Sequence, residues 1–152
     1  MNTLSYIGSI VLVNWAFSVV PVIKLPWGQM FTPLTFVVGF TFILRDYAQR
    51  EIGSKKVLGA MVVGVGLSYF MASPFVATAS ATAFALSELV DWGCFTFTKK
   101  PFADRILISS AVGTPVDSVV FLVMIGQFSI VSAVVMTLSK MVGAVLVWRA
   151  IK

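Results

Sequence analysis

Apolar residues fall into six blocks along the chain, and polar or helix-breaking residues gather between them. A helix that crosses a bilayer needs about 20 mostly apolar residues. The blocks predict helices over roughly 4–22, 31–49, 57–72, 75–97, 104–126 and 128–149, all near that length except the shorter third. The breaks between them carry recognisable stop signals. Lys24, Pro26, Trp27 and Gly28 predict an interfacial turn, Gly53 and Ser54 stop the second helix, and Ala72-Ser73-Pro74 predicts a tight turn. Thr98-Lys99-Lys100-Pro101 breaks the chain again, and Gly126-Gln127 turns it into the last helix.

Composition sharpens this pattern into a class. Apolar residues are 59% of 152 and charged residues only 11%. A soluble domain carries about 25% charged residues. The expectation is an all-α integral membrane protein, a six-helix transmembrane bundle, with residues 1–152 forming one transmembrane domain. Met1–Leu4 lacks a basic segment and no small-residue cleavage site follows, so the first apolar run reads as a retained helix. Large functional classes drop out. With no His, imidazole metal sites and His-dependent triads are absent, and the lone Cys94 can form neither an internal disulfide nor a cysteine cluster. No Gly-rich phosphate loop follows a strand pattern. No enzyme chemistry and no cofactor are expected, because no nucleophile or metal site can be assembled.

The net charge of +5 is explained by topology before any nucleic acid is invoked. With six spans, both termini and the second and fourth connections share one side. That side receives Arg45, Arg50, Lys55, Lys56, Lys99, Lys100, Arg105, Arg149 and Lys152, and the other receives Lys24. Such asymmetry orients both termini toward the cytoplasm of a cell (inner) membrane. The charged end of helix two, Arg45–Glu51, reads first as a solvated anchor whose long side chains snorkel to the surface, although Asp46 and Gln49 reach the interior if that helix tilts. Trp27, Trp92 and Trp148 suit an interfacial belt. Trp15 lies deeper, facing lipid or a cavity. Gly59, Gly64 and Gly66, with the small residues at 77–83, suit close helix packing.

Four charges lie where hydrocarbon is expected. Glu88 and Asp91 fall on helix four, Asp117 on helix five and Lys140 on helix six. An unpaired charge there costs roughly 2.5–3.5 kcal/mol on insertion scales, so such residues are by default functional. Glu88 and Asp91 are three apart and share a helix face, with Phe84 and Phe95 beside them. Pro115, between Gly113 and Asp117, removes the backbone bond to the carbonyl of Ala111, a recurring device in membrane binding sites. The bland alternative is a buried ion pair of Lys140 with Glu88 or Asp117 that only fixes packing. Residue chemistry alone reaches a small-solute or proton-linked transporter.

Three stretches resemble the vitamin-uptake transporter (VUT) family, associated with uptake of queuosine precursors. They are Phe42-Ile43-Leu44-Arg45-Asp46 with Glu51 and Gly53, the small-residue run Ala79–Ala83 leading through Phe84 to Glu88 and Asp91, and Gly113 to Asp117-Ser118 and Phe121. Lys140 falls where the family's last helix carries a Lys, and the resemblance covers roughly residues 30 to 150. It implies import of 7-cyano-7-deazaguanine or 7-aminomethyl-7-deazaguanine. A carboxylate accepts the ring N–H and exocyclic NH₂ together. Glu88 is the first choice for that contact, with Asp91 or Asp117 on other donors and Lys140 on the ring carbonyl or a carboxylate. Phe84 or Trp92 would stack on the ring, and Asp46 and Gln49 complete the candidate substrate-binding set. The implied partners are this nucleobase and membrane lipid. The six-helix pattern also resembles the substrate-binding subunits of energy-coupling-factor transporters, which would require a separate ATPase module. A small structural or pore-forming membrane protein, with or without self-association, is the remaining alternative.

Overall fold

The computed structural model describes residues 1–20, 23–24, 30–71 and 74–152. Six helices dominate them: α1 Asn2–Val19, α2 Leu34–Ile52, α3 Ser54–Met71, α4 Pro74–Phe97, α5 Phe102–Met124 and α6 Ile130–Ile151. They follow the six apolar blocks in order, with ends shifted by a few residues. Local capping explains the shifts. Thr32 delays the start of α2, its carbonyl accepting from the Thr35 amide at 3.1 Å and the Thr35 hydroxyl at 2.9 Å. Gly53, at φ +88°, ends α2 and returns its N–H to Gln49 at 2.9 Å. The chain re-enters a helix at once, so Lys55 and Lys56 belong to the first turn of α3 rather than to a loop. Ser129 caps α6, its hydroxyl accepting from the Ser132 amide at 3.0 Å.

Between α1 and α2 the chain forms a short antiparallel ladder, β1 Ile23–Lys24 with β2 Met30–Phe31, pairing Ile23 with Phe31 and Lys24 with Met30. Pro26, Trp27 and Gly28 of the expected interfacial turn lie outside the described residues, as do Ala72 and Ser73 of the turn before α4.

Each helix packs on the next in the order α1, α3, α4, α5, α6, α2, and α2 closes on α1. Helix α2 also reaches α3, α4 and α5, so its side chains can enter the middle of the bundle. Glycines permit two of the crossings that matter for the site. A Cβ on Gly39 of α2 would collide with the carbonyl of Lys140 on α6, and one on Gly113 of α5 would come within 2.9 Å of Asp91 Cβ on α4. Of the three α3 glycines, only Gly64 lies at a crossing, against Ile10, while Gly59 and Gly66 face open space. Close packing therefore explains one of the three.

Contacts near the helix ends tie α3 to α4, α5 to α6 and α1 to α2 at the end of the bundle whose connections carry most of the basic residues. Trp92 Nε1 on α4 donates to the Ser54 carbonyl at 2.8 Å, Trp148 Nε1 on α6 donates to Asp104 Oδ1 of α5 at 2.8 Å, and the Met1 ammonium meets Glu51 Oε1 at 2.5 Å. The exterior and interior reverse the arrangement that water favours. Leu12, Trp15, Phe40, Val62, Leu67 and Phe70 are exposed, whereas Arg45, Asp46, Glu88, Asp91, Asp117 and Lys140 are buried. Helices α5 and α6 are long and apolar enough to cross a membrane.

Candidate functional site

The interior polar residues form two groups, each with a serine hydroxyl on one of its carboxylates. The first centres on Arg45, whose guanidinium projects inward from α2 and is 1% exposed. Its Nη2 lies 2.8 Å from Asp46 Oδ1 and pairs with Asp91, its Nε lies 3.3 Å from Glu88 Oε2, and its Nη1 donates to Gln49 Oε1 at 2.7 Å. Gln49 in turn donates to Ser54 Oγ at 2.9 Å and Thr96 Oγ1 at 3.0 Å. Tyr6 brings α1 into the group by donating its hydroxyl to Glu88 Oε2 at 3.0 Å. Burial makes these bonds strong, since a charge in a low-dielectric interior is costly unless paired and hydrogen-bonded. Glu88 Oε1 nevertheless has no hydrogen-bond partner among the described residues.

The second group is the Lys140–Asp117 ion pair, with Lys140 Nζ also donating to Ser118 Oγ at 3.0 Å. Helix α5 runs on through Pro115, and Thr114 and Ser118 return their hydroxyls to the carbonyls of Ser110 and Thr114 at 2.8 and 2.9 Å. Ser87 Oγ donates to Asp117 Oδ1 at 3.4 Å, tying α4 to this group, and Ser109 Oγ donates to Asp46 Oδ2 at 3.5 Å, tying α5 to the first.

A cavity of about 20 Å³ adjoins the second group, walled by Phe17, Phe84 and Phe121, with Asp117, Lys140 and Thr41 among its polar lining. That is room for about one water molecule. Thr41 Oγ1 lines it without a hydrogen-bond partner among the described residues. Phe17 and Phe121 meet at 5.5 Å between ring centroids on the side toward the ends of α1 and α5. The Arg45 group lies toward the opposite, basic end.

The structure distributes the expected site residues unevenly. Phe84, Asp117 and Lys140 line the cavity, while Glu88, Asp91, Asp46 and Gln49 belong to the Arg45 group next to it. Trp92 is committed to the Ser54 carbonyl and is not a wall of the cavity. Trp15 faces outward. The reading of Arg45–Glu51 as a solvated anchor is corrected for half of the segment: Arg45, Asp46 and Gln49 are buried, and Arg50 and Glu51 are exposed. Arg45 thus leaves the set of surface charges, because three carboxylates at its depth would otherwise lack a cation. Tyr6 and Arg45 escaped sequence reasoning. The signal for Arg45 was charge balance: Glu88, Asp91 and Asp117 lie at depth in the sequence, and Lys140 can neutralise only one of them.

Six packed helices with an apolar exterior and a buried ionic centre define a helical bundle organised around interior charge. No family model, curated protein or solved structure matches the chain.

Proposed function

We propose that the chain is a multi-pass membrane transporter that imports a small planar nitrogen heterocycle, namely a queuosine precursor, 7-cyano-7-deazaguanine or its aminomethyl relative. The observation that carries the reading is the Asp117–Lys140 pair facing an aromatic-walled cavity inside a bundle with an apolar exterior. Asp117 accepts the ring N–H and exocyclic NH₂, Lys140 donates to the ring carbonyl, and Phe84 packs on the ring face. Thr41 supplies a further polar contact. Glu88, the first choice on sequence grounds, gives way to Asp117 because Asp117 lines the cavity and Glu88 does not. The basic end of the bundle faces the cytoplasm, following the charge asymmetry.

Ligand pockets usually measure roughly 300–1,000 Å³, so a 20 Å³ cavity is a closed form of such a site. Opening requires one wall to part. The Phe17–Phe121 contact closes the cavity toward one side of the bundle, and the Arg45 group closes it toward the other. Alternate release of these two closures gives access from each side in turn.

A second reading, a structural membrane protein with no solute, is favoured by the same small cavity and by the mutual pairing of its charges. A thermal-shift titration of the purified chain separates the two. A ligand that binds only the folded state raises apparent stability. The transport reading expects a saturable rise with 7-cyano- or 7-aminomethyl-7-deazaguanine, none with adenine, and loss of the rise in Asp117→Asn. Folded protein that shows no rise with either deazaguanine supports the structural reading instead.

A further inference from the structure

A second cavity opens at the basic end of the bundle and shares no residue with the central one. It measures about 320 Å³ and is lined by Gln49, Arg50, Ser54, Phe95, Phe102 and Arg105. Four helix ends build it: the last turn of α2, the first residue of α3, the last turn of α4 and the first turn of α5.

Two features distinguish it from a solvated basic surface. The first is that aromatic rings hold its arginines in place. Arg50 Cζ lies 4.8 Å from the Phe102 ring centroid and Arg105 Cζ lies 3.9 Å from that of Phe95. The two rings meet edge-on, 5.9 Å apart and perpendicular, so each offers its own face to one of the two guanidiniums. Arg105 Nε also donates to the Phe95 carbonyl at 2.9 Å, which leaves its two terminal amino groups for another acceptor.

The second feature is that neither arginine has a carboxylate partner among the described residues. The acids at this end are engaged elsewhere, and Asp46, which acts on Arg105 only through space, is paired with Arg45. Glu51 takes the Met1 ammonium at 2.5 Å and the Thr3 amide at 3.2 Å, and Asp104 accepts from Trp148. Ser54 Oγ accepts from Gln49, so its own proton is free to point into the cavity.

We propose that this vestibule binds a phosphate group between Arg50 and Arg105, with Ser54 as a third donor. Planar guanidinium forks match phosphate oxygens two at a time. Inorganic phosphate or a phosphate monoester offers at least three free oxygens, enough for both forks and the hydroxyl at once, and a phosphodiester headgroup offers two, one to each fork. The shared chemistry has two sources, the headgroup of an anionic phospholipid or a soluble phosphate compound. Basic pockets between helix ends are recurring headgroup sites.

The test uses the purified full chain in a zwitterionic detergent. Its melting is followed against inorganic phosphate, with chloride at matched ionic strength as control, and against short-chain phosphatidylglycerol, with phosphatidylcholine as control. The expected result is a saturable stabilisation by phosphate or by phosphatidylglycerol, weakened at least about tenfold in Arg50→Gln/Arg105→Gln. Stabilisation by phosphatidylglycerol alone assigns the site to a lipid, and stabilisation by phosphate alone assigns it to a soluble compound. No stabilisation by either, or stabilisation that survives the double substitution, overturns the proposal. If the double variant does not fold, Arg50→Gln alone carries the test, because that side chain is exposed. The deazaguanine shift is expected to be unchanged in these variants, so failure here leaves the reading of the central cavity intact.

Discussion

Replacing Arg45 with Gln removes the cation that faces Asp46, Glu88 and Asp91 and leaves three buried carboxylates crowded together. All four side chains are at most 1% exposed, so water does not screen the change. Breaking a buried ion pair by removing one partner costs about 3–5 kcal/mol. For a chain of this size each kcal/mol moves the melting temperature by about 2–4 °C, so Arg45→Gln is expected to melt roughly 6–20 °C below the parent chain. The loss comes mainly from uncompensated charge rather than from missing contacts. Neutralising one of the carboxylates should therefore recover part of it: Arg45→Gln/Asp91→Asn is expected to melt well above Arg45→Gln alone, although it carries one more substitution. The exposed Arg50→Gln serves as control and should stay within about 0.5 kcal/mol of the parent. The assay is thermal melting of detergent-purified protein, with circular dichroism reporting helix loss. An Arg45→Gln chain that melts within about 3 °C of the parent, or one that Asp91→Asn destabilises further, would falsify the picture of a buried cluster held by one guanidinium.

Other substitutions probe the remaining contacts. Asp117→Asn and Lys140→Met should each lower stability by about 3–5 kcal/mol, while the double variant recovers much of that loss yet fails to take up deazaguanine in proteoliposomes; a double variant with normal uptake argues for a packing role only. Tyr6→Phe deletes the 3.0 Å bond to Glu88 and should cost about 1.5–3 kcal/mol, read as a lower denaturation midpoint, whereas an unchanged midpoint removes α1 from the site. Gly39→Ala should destabilise by about 1–3 kcal/mol because its Cβ meets the Lys140 backbone. Gly59→Ala, which meets nothing, should be neutral or more stable by up to about 1 kcal/mol; equal effects in melting experiments at the two positions would contradict the α2–α6 crossing.

What the sequence revealed and what it hid follow one division. Helix number and order were legible because each apolar block is long and the breaks are chemically blunt, as at Gly53 and Gly126, the described glycines with positive φ. The deep acids were legible for the same reason, since Glu88, Asp91 and Asp117 stand alone in apolar surroundings. Arg45 was not, because it precedes a truly exposed stretch, Arg50–Glu51, and one-dimensional charge counting merges the two. Seven residues before the helix ends, it lies about two turns inside the bundle, roughly 10 Å at 1.5 Å per residue. That depth decides its role.

Tyr6 shows a different limit. Nothing in its neighbourhood on α1 is polar enough to mark it as a site residue, and its importance arises only from the packing of α1 beside α4, which brings its hydroxyl to Glu88. Pairing partners are a property of helix neighbours rather than of segments. The same reasoning explains why Asp117 rather than Glu88 faces the central cavity. Both acids were placed at similar depth by position alone, but Arg45 and Tyr6 claim Glu88, and Lys140 crosses from α6 to meet Asp117 where Gly39 lets the two backbones approach. A single methyl group at Gly39 should therefore displace the Lys140 ammonium from Asp117, which makes that glycine a determinant of the site although it contributes no side chain to it.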